Sequence, residues 1–149
     1  MNSTRRTLLG ALAALATAAL AAPLRALAAW NKEGFGAKTA PEALKSIGAT
    51  GAAPSSAVRI DAPEIAENGA VVPIEIESAI PGTTSLAVVI DKNPFPLIGQ
   101  FQFLEGALPF VKVNVKMGET SEVRVIAQAG GKSYVATKEI KVTIGGCGG

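Results

Sequence analysis

The sequence predicts an all-β fold: an immunoglobulin-like antiparallel β-sandwich with a short N-terminal helix and a flexible Gly-Gly-Cys-Gly-Gly C-terminal arm. Three observations carry that reading. First, apolar and polar residues alternate with period two in Val72-Pro73-Ile74-Glu75-Ile76-Glu77, Val111-Lys112-Val113-Asn114-Val115-Lys116, Glu122-Val123-Arg124-Val125 and Glu139-Ile140-Lys141-Val142-Thr143-Ile144. Alternation of this kind is the signature of an antiparallel sheet with one face on a core and the other in water. Second, the breaks between these runs hold turn residues: Glu67-Asn68-Gly69, Ile80-Pro81-Gly82, Met117-Gly118-Glu119 and Ala129-Gly130-Gly131. Third, no helical pattern intervenes among them. About seven short strands at this spacing suit a sandwich of this class.

Taken in chain order, the first element after the N-terminal segment is a helix. Thr39 is a good N-cap, Pro41 fits the first turn, and Glu42 stands three residues after the cap, as in a capping box. Ala43, Leu44 and Ile47 give this helix an apolar side, and Gly48 ends it in a left-handed conformation. Thr50 to Ser56 is rich in Gly, Ala, Pro and Ser and reads as a linker. The domain plan is therefore a signal peptide over 1–28, helix and linker over 29–57, the sandwich over 58–144 and the arm over 145–149. Leu86 to Ile90 is continuously apolar, which predicts a strand covered on both faces. The two prolines of Asn93-Pro94-Phe95-Pro96-Leu97 exclude a central strand. This segment reads either as a rigid turn with Phe95 and Leu97 tucked into the core, or as a protected edge that docks a partner. Phe101 and Phe103 share one face of a strand and read as core. Tyr134 reads as a half-buried strand residue.

Residues 1–28 read as an address. Arg5 and Arg6 precede an apolar run from Leu8 to Ala22, and Ala26-Leu27-Ala28 provides small residues at the positions a signal peptidase reads. The run is shorter than the ~20 residues a transmembrane helix needs. Ser3-Thr4-Arg5-Arg6-Thr7-Leu8-Leu9 resembles the twin-arginine export motif, with a Sec signal as the competing reading. The expected location is the periplasm. Formal charge over the whole chain is +2, from 14 Lys+Arg and 12 Asp+Glu. Cleavage after Ala28 removes three arginines and no acid, so 11 − 12 = −1 remains on 149 − 28 = 121 residues. Nothing in that balance argues for nucleic acid or for an anionic membrane.

The composition excludes much of enzyme chemistry. There is no histidine and only one cysteine. A Ser-His-Asp triad, a Cys-His pair, an imidazole metal site, an internal disulfide and a cysteine-rich zinc site are all ruled out. No catalytic residue, metal ligand or cofactor is assigned to this chain. What remains is Cys147, flanked by Gly145, Gly146, Gly148 and Gly149 immediately after the last strand. Four glycines lose the most entropy on ordering and offer no side chain to pack, so they predict a slim mobile arm. Fully extended, three residues place Cys147 about 10 Å beyond Ile144.

A prenylation site fails, because the fourth residue from the end is Gly146. An intermolecular disulfide needs only an exposed thiol and stays open. A Gly-Gly terminus also resembles that of thiocarboxylate sulfur carriers, but their cytoplasmic activation conflicts with an export signal. With a reference pKa near 8.5, only a few per cent of such a thiol is ionised at pH 7. The arm holds no Lys, Arg or His to raise that fraction. These features predict a carrier whose reactivity comes from a partner's active site.

The terminal Gly145-Gly146-Cys147-Gly148-Gly149 resembles the swinging arm of the SoxY family, the sulfur-compound carrier subunits of periplasmic thiosulfate oxidation. Ala62-Pro63-Glu64-Ile65-Ala66-Glu67-Asn68-Gly69 followed by Val72-Pro73, and Asn93-Pro94 before Pro96-Leu97, are similar to that family as well. The resemblance implies that Cys147 is the covalent attachment point and that the four glycines give the arm its freedom. It implies a heterodimer with a SoxZ-like subunit. It also implies three kinds of enzyme partner: a haem-containing conjugating enzyme, a manganese-dependent sulfate-releasing hydrolase and, in some organisms, a sulfane dehydrogenase. The competing expectation is an exported sandwich module that binds or scaffolds, with Cys147 serving only as a cross-link.

Overall fold

A computed structural model describes residues 30–143 of the chain. Two short helices, α1 (Lys32–Gly36) and α2 (Ala40–Ser46), come first. Nine strands follow: β1 (Ala53–Pro54), β2 (Val58–Asp61), β3 (Ile65–Ala66), β4 (Val72–Ser78), β5 (Thr83–Ile90), β6 (Leu97–Gln102), β7 (Phe110–Val115), β8 (Ser121–Ala129) and β9 (Lys132–Val142). Seven of these have four residues or more, which matches the number expected from the alternation.

The strands form two sheets, one in the order β1-β9-β8-β5-β6 with β3 also on β9, the other in the order β2-β4-β7. All pairings among the seven longer strands are antiparallel. The chain therefore folds as the immunoglobulin-like sandwich that its pattern predicts. The tightest connection, β8 to β9, turns through Gly130 and Gly131 at φ 56° and 73°. Two successive positive φ values are what a two-residue hairpin loop of the favoured twist requires, and glycine adopts them without strain.

Side chains sort by the pleat. In β4, Val72, Ile74 and Ile76 are fully buried between the sheets, while Pro73 and Glu77 face outward. The pairing of β2 with β4 stops at Glu75, so at Pro73 one side of β4 has no neighbouring strand, and a residue without an N–H is tolerated there. In β5, Leu86, Val88 and Ile90 join the core between the sheets. Ala87 and Val89 point the other way, onto Ala37, Ala43, Ile47, Leu97 and Ile126. The continuous apolar run of β5 thus has two covers, a sheet on one face and the helices on the other. Each fully buried Val, Leu or Ile contributes roughly 1.5–3 kcal/mol, so β5 and its neighbour β8 are the main stabilising elements.

The helices are held by caps more than by length. Thr39 Oγ1 accepts from Glu42 N at 3.4 Å, and Gly48 stands just past the helix end at φ 67°. Glu42 Oε2 accepts from Lys38 N at 3.0 Å, one residue before the cap, and this bond is the main reason its carboxyl sits below the usual range. The helix α1 has no counterpart in the sequence reading. Its five residues are too few to show a period. It forms because Asn31 Oδ1 caps Gly34 N at 2.9 Å and because Gly34 lies close against α2 and β6. A Cβ on Gly34 would stand 2.5 Å from Ser46 Oγ and 2.8 Å from Leu97 Cδ2.

Two local readings are refined. The stretch 50–56 is docked on the sheet edge: Ala53 and Pro54 pair with Tyr134 and Val135, and Ser55 N donates to Val135 O at 3.0 Å. The Asn93–Leu97 segment matches the core reading at Leu97 and departs from it at Phe95. Leu97 is buried under the helices, whereas Phe95 is half exposed, with Lys38 Nζ 3.6 Å from its ring centre. Phe101, Phe103 and Tyr134 pack partly buried against the inter-sheet core, as expected.

Candidate functional site: the root of the arm

Cys147 and its flanking Gly145, Gly146, Gly148 and Gly149 lie outside the described residues. The structure describes the base from which they continue. That base is the end of β9, and it is fastened on both sides. On one side β9 pairs antiparallel with β8, Ile140 opposite Ser121. On the other it pairs in parallel with β3, Lys141 opposite Ile65 and Val142 opposite Ala66. Lys141 N donates to Glu64 O at 2.9 Å, and Thr143 N donates to Ala66 O at 3.1 Å. Val142 N turns to a side chain, Thr120 Oγ1, at 3.0 Å. The backbone is thus held up to its last described residue.

The turns at this end of the sandwich are tied to one another. Met117 N donates to Gly69 O at 2.7 Å, joining the turn before β4 to the turn after β7. Gly69 is buried, and a Cβ there would stand 2.3 Å from Met117 O and 2.8 Å from Val142 Cγ1. Only a glycine lets these three segments approach so closely. Asn93 Nδ2 donates to Lys116 O at 2.7 Å, and Lys92 N donates to Ser121 Oγ at 3.0 Å, which brings the proline-rich turn into the same network. Arg124 clasps Asp91 through Nε and Nη2 at 2.8–3.1 Å, and this bonding raises the pKa of the guanidinium further.

Sequence reading identified the last strand and the turn residues here, but neither the β3 pairing nor the role of Thr120. A two-residue parallel bridge between distant segments leaves no periodic trace. Thr120 stands among ordinary turn residues, and nothing in its context marks it. Gly69 was legible as a turn glycine, not as a contact to Val142.

An immunoglobulin-like sandwich whose anchored last strand continues into a glycine-flanked thiol is the class of protein that fold and root define. The chain belongs to the SoxY family: the family model described as "Sulfur oxidation protein SoxY" matches residues 44–147. Among solved structures, the chain is similar to the sulfur carrier protein SoxY from Chlorobium limicola f thiosulfatophilum, at 36% identity over 76% of this chain and 99% of that one, with a TM-score of 0.65. Two further structures match weakly. One is an engineered protein, at 12% identity over 58% of this chain and 20% of that one, with a TM-score of 0.41. The other is a chain from a structure of T cell activation by the bacterial superantigen toxic shock syndrome toxin-1, at 13% over 58% of this chain and 99% of that one, with a TM-score of 0.42. Neither bears on function. A search of curated proteins returns no match.

Proposed function

We propose that this chain is a non-catalytic carrier that holds sulfur-oxidation intermediates covalently on Cys147 and presents them to partner enzymes in the periplasm during thiosulfate oxidation. The observation that carries this reading is the extent of the family match, which runs to residue 147 and takes in the only cysteine of the chain. The relative of known structure, a sulfur carrier protein, supports it.

The chemistry balances without a cofactor on this chain. The thiol of Cys147 and thiosulfate lose two electrons and one proton to a haem-containing partner, and a sulfur–sulfur bond forms to give a cysteine S-thiosulfonate. Water then attacks the terminal sulfonate sulfur at a manganese-dependent hydrolase. The bond between that sulfonate sulfur and the inner sulfane sulfur breaks, sulfate and a proton leave, and a persulfide stays on Cys147. A sulfane dehydrogenase, where one exists, oxidises the remaining sulfur. A SoxZ-like subunit completes the carrier as a heterodimer. A tethered intermediate reaches each docked enzyme at high effective concentration, which is the advantage of a carrier over free diffusion.

Intact-mass measurement tests this. The full chain, incubated with its subunit partner, thiosulfate and the haem enzyme, is expected to gain a thiosulfonate adduct, and Cys147→Ser is expected to gain none and to support no turnover. Turnover by the serine variant would overturn the carrier role. A stable mixed disulfide as the sole modification would favour the cross-link instead.

A further inference from the structure

Asn68-Gly69 is the only Asn-Gly pair in the chain. That pair carries covalent chemistry of its own. The backbone nitrogen of the second residue can attack the side-chain carbonyl carbon of the first, and glycine allows the approach because it has no side chain in the way. The other described asparagines are poorly suited. Asn93 precedes Pro94, whose nitrogen carries no hydrogen, and Asn114 precedes the β-branched Val115. Asn31 has its carboxamide engaged at both ends, Oδ1 with Gly34 N at 2.9 Å and Nδ2 with Ser46 O at 3.4 Å.

The turn both prepares this reaction and restrains it. Asn68 is exposed to water. Ala70 N donates to Asn68 Oδ1 at 2.9 Å, so a donor already stands at the oxygen on which charge develops when the carbonyl is attacked. Attack requires rotation about the bond between Asn68 Cα and its backbone carbonyl carbon, and that rotation carries Gly69 with it. Gly69 is held: its carbonyl accepts from Met117 N at 2.7 Å, and Met117 O and Val142 Cγ1 crowd its Cα. Val71 N also closes the turn on Asn68 O at 3.3 Å. The reaction therefore waits on local opening of the turn.

We infer that Asn68 is a modification site: it deamidates through a cyclic imide with Gly69, at a rate set by opening of the turn against Met117, and isoaspartate formed there unfastens the end of β9. The Gly69 nitrogen bonds to Asn68 Cγ, its proton leaves with the side-chain nitrogen as ammonia, and the imide closes. Water then opens the imide at either carbonyl, giving aspartate or isoaspartate, with one new carboxylate in each case and no oxidant or reductant. In isoaspartate the main chain runs through the former side chain and is one carbon longer. That carbon falls between Ala66, whose carbonyl accepts from Thr143 N, and Gly69, which abuts Val142. The lengthened turn no longer fits the close approach of Gly69 to Met117 and Val142, so the strand end loosens.

The test incubates the full chain in mildly alkaline buffer, with and without urea. Peptides are then mapped by mass spectrometry with electron-transfer fragmentation, which separates isoaspartate from aspartate. Asn68 is expected to convert ahead of Asn31, Asn93 and Asn114, and about tenfold or more faster in urea, where no turn restrains it. Val142→Ala thins the packing on Gly69 and is expected to raise the native rate severalfold while leaving the rate in urea unchanged. Amide exchange at Val142 and Thr143 is expected to accelerate in the aged chain, with β5 and β8 still protected. Asn68→Ser keeps a side-chain acceptor for Ala70 N but has no amide to lose, so its exchange is expected to stay constant with age. An Asn68 that stays intact in urea would overturn the site. Equal rates with and without urea, or a native rate untouched by Val142→Ala, would overturn the gate. Unchanged exchange at Val142 and Thr143 in the aged chain, or equal loosening in Asn68→Ser, would overturn the consequence for β9. None of these readouts depends on what Cys147 carries.

Discussion

The middle of the large sheet and the end at which the arm departs are held by different forces. Around β5 and β8, stability comes from side chains buried on both faces: Leu86, Val88, Val123 and Val125 toward the other sheet, Val89 and Ile126 toward the helices. Such burial is strong and non-directional, and its strength follows area. At the root, the hold is directional. Single hydrogen bonds from Lys141, Val142 and Thr143 go to Glu64, Thr120 and Ala66, and a buried glycine, Gly69, lets Met117 and Val142 both come close to it. Hydrogen bonds of this kind contribute about 0.5–1.5 kcal/mol each, but they fix where a strand ends. The contrast teaches that stability and placement of the arm are separable properties of this fold.

Substitutions can break that separation or sharpen it. Ile126→Ala removes a side chain that is 1% exposed in the helix-side cluster, and is expected to cost about 2–4 kcal/mol. Urea unfolding would show the lowered midpoint, while intact mass is expected to show the folded fraction still accepting an adduct on Cys147. If adduct formation fell with stability held constant, the two regions would not be independent.

Gly69→Ala comes next. Its Cβ meets a backbone carbonyl, Met117 O, at 2.3 Å, so the turn has to shift, at a cost of about 1–3 kcal/mol. Here the expected signature is reversed. Amide exchange at Val142 and Thr143 accelerates, and the enzyme acts more slowly on Cys147, while protection in β5 and β8 is retained. Equal loss of protection everywhere would mean that Gly69 serves global stability only.

The smallest effect is expected at Glu42, on the exposed start of α2. The bond from Lys38 N lowers its pKa, so its contribution to stability is complete above the ordinary carboxylate value and is lost as pH falls through the folded value. Glu42→Gln should therefore lower Tm slightly at pH 7 and match wild type in acid, with no change in the reaction of Cys147. A gap that widened in acid would show the wrong sign and sink this account.

Much of this was legible from residues alone, for identifiable reasons. Period-two runs produced β4, β7, β8 and β9, and the apolar run Leu86 to Ile90 announced a strand with two covers. Thr39, Glu42 and Gly48 marked α2, because capping is a local interaction encoded within a few residues. Cys147 stood out because four glycines isolate the only thiol of a chain without histidine. The turn at Phe95 could not be settled, since an aromatic between two prolines suits the core and the surface equally well.

What the sequence by itself determined is therefore the alternation, the turns and the fold class, and it singled out the one thiol of the chain. All of these depend on residues close together in the chain. Tertiary structure alone decided which strand ends meet. Ile65 borders the last strand's end only because β3 pairs with β9, and Gly69 abuts Val142 only because the turns at that end converge. Thr120 and Gly69 acquire their roles the same way. The physical reason is that a contact between distant segments depends on the global packing of two sheets, and no local propensity encodes it.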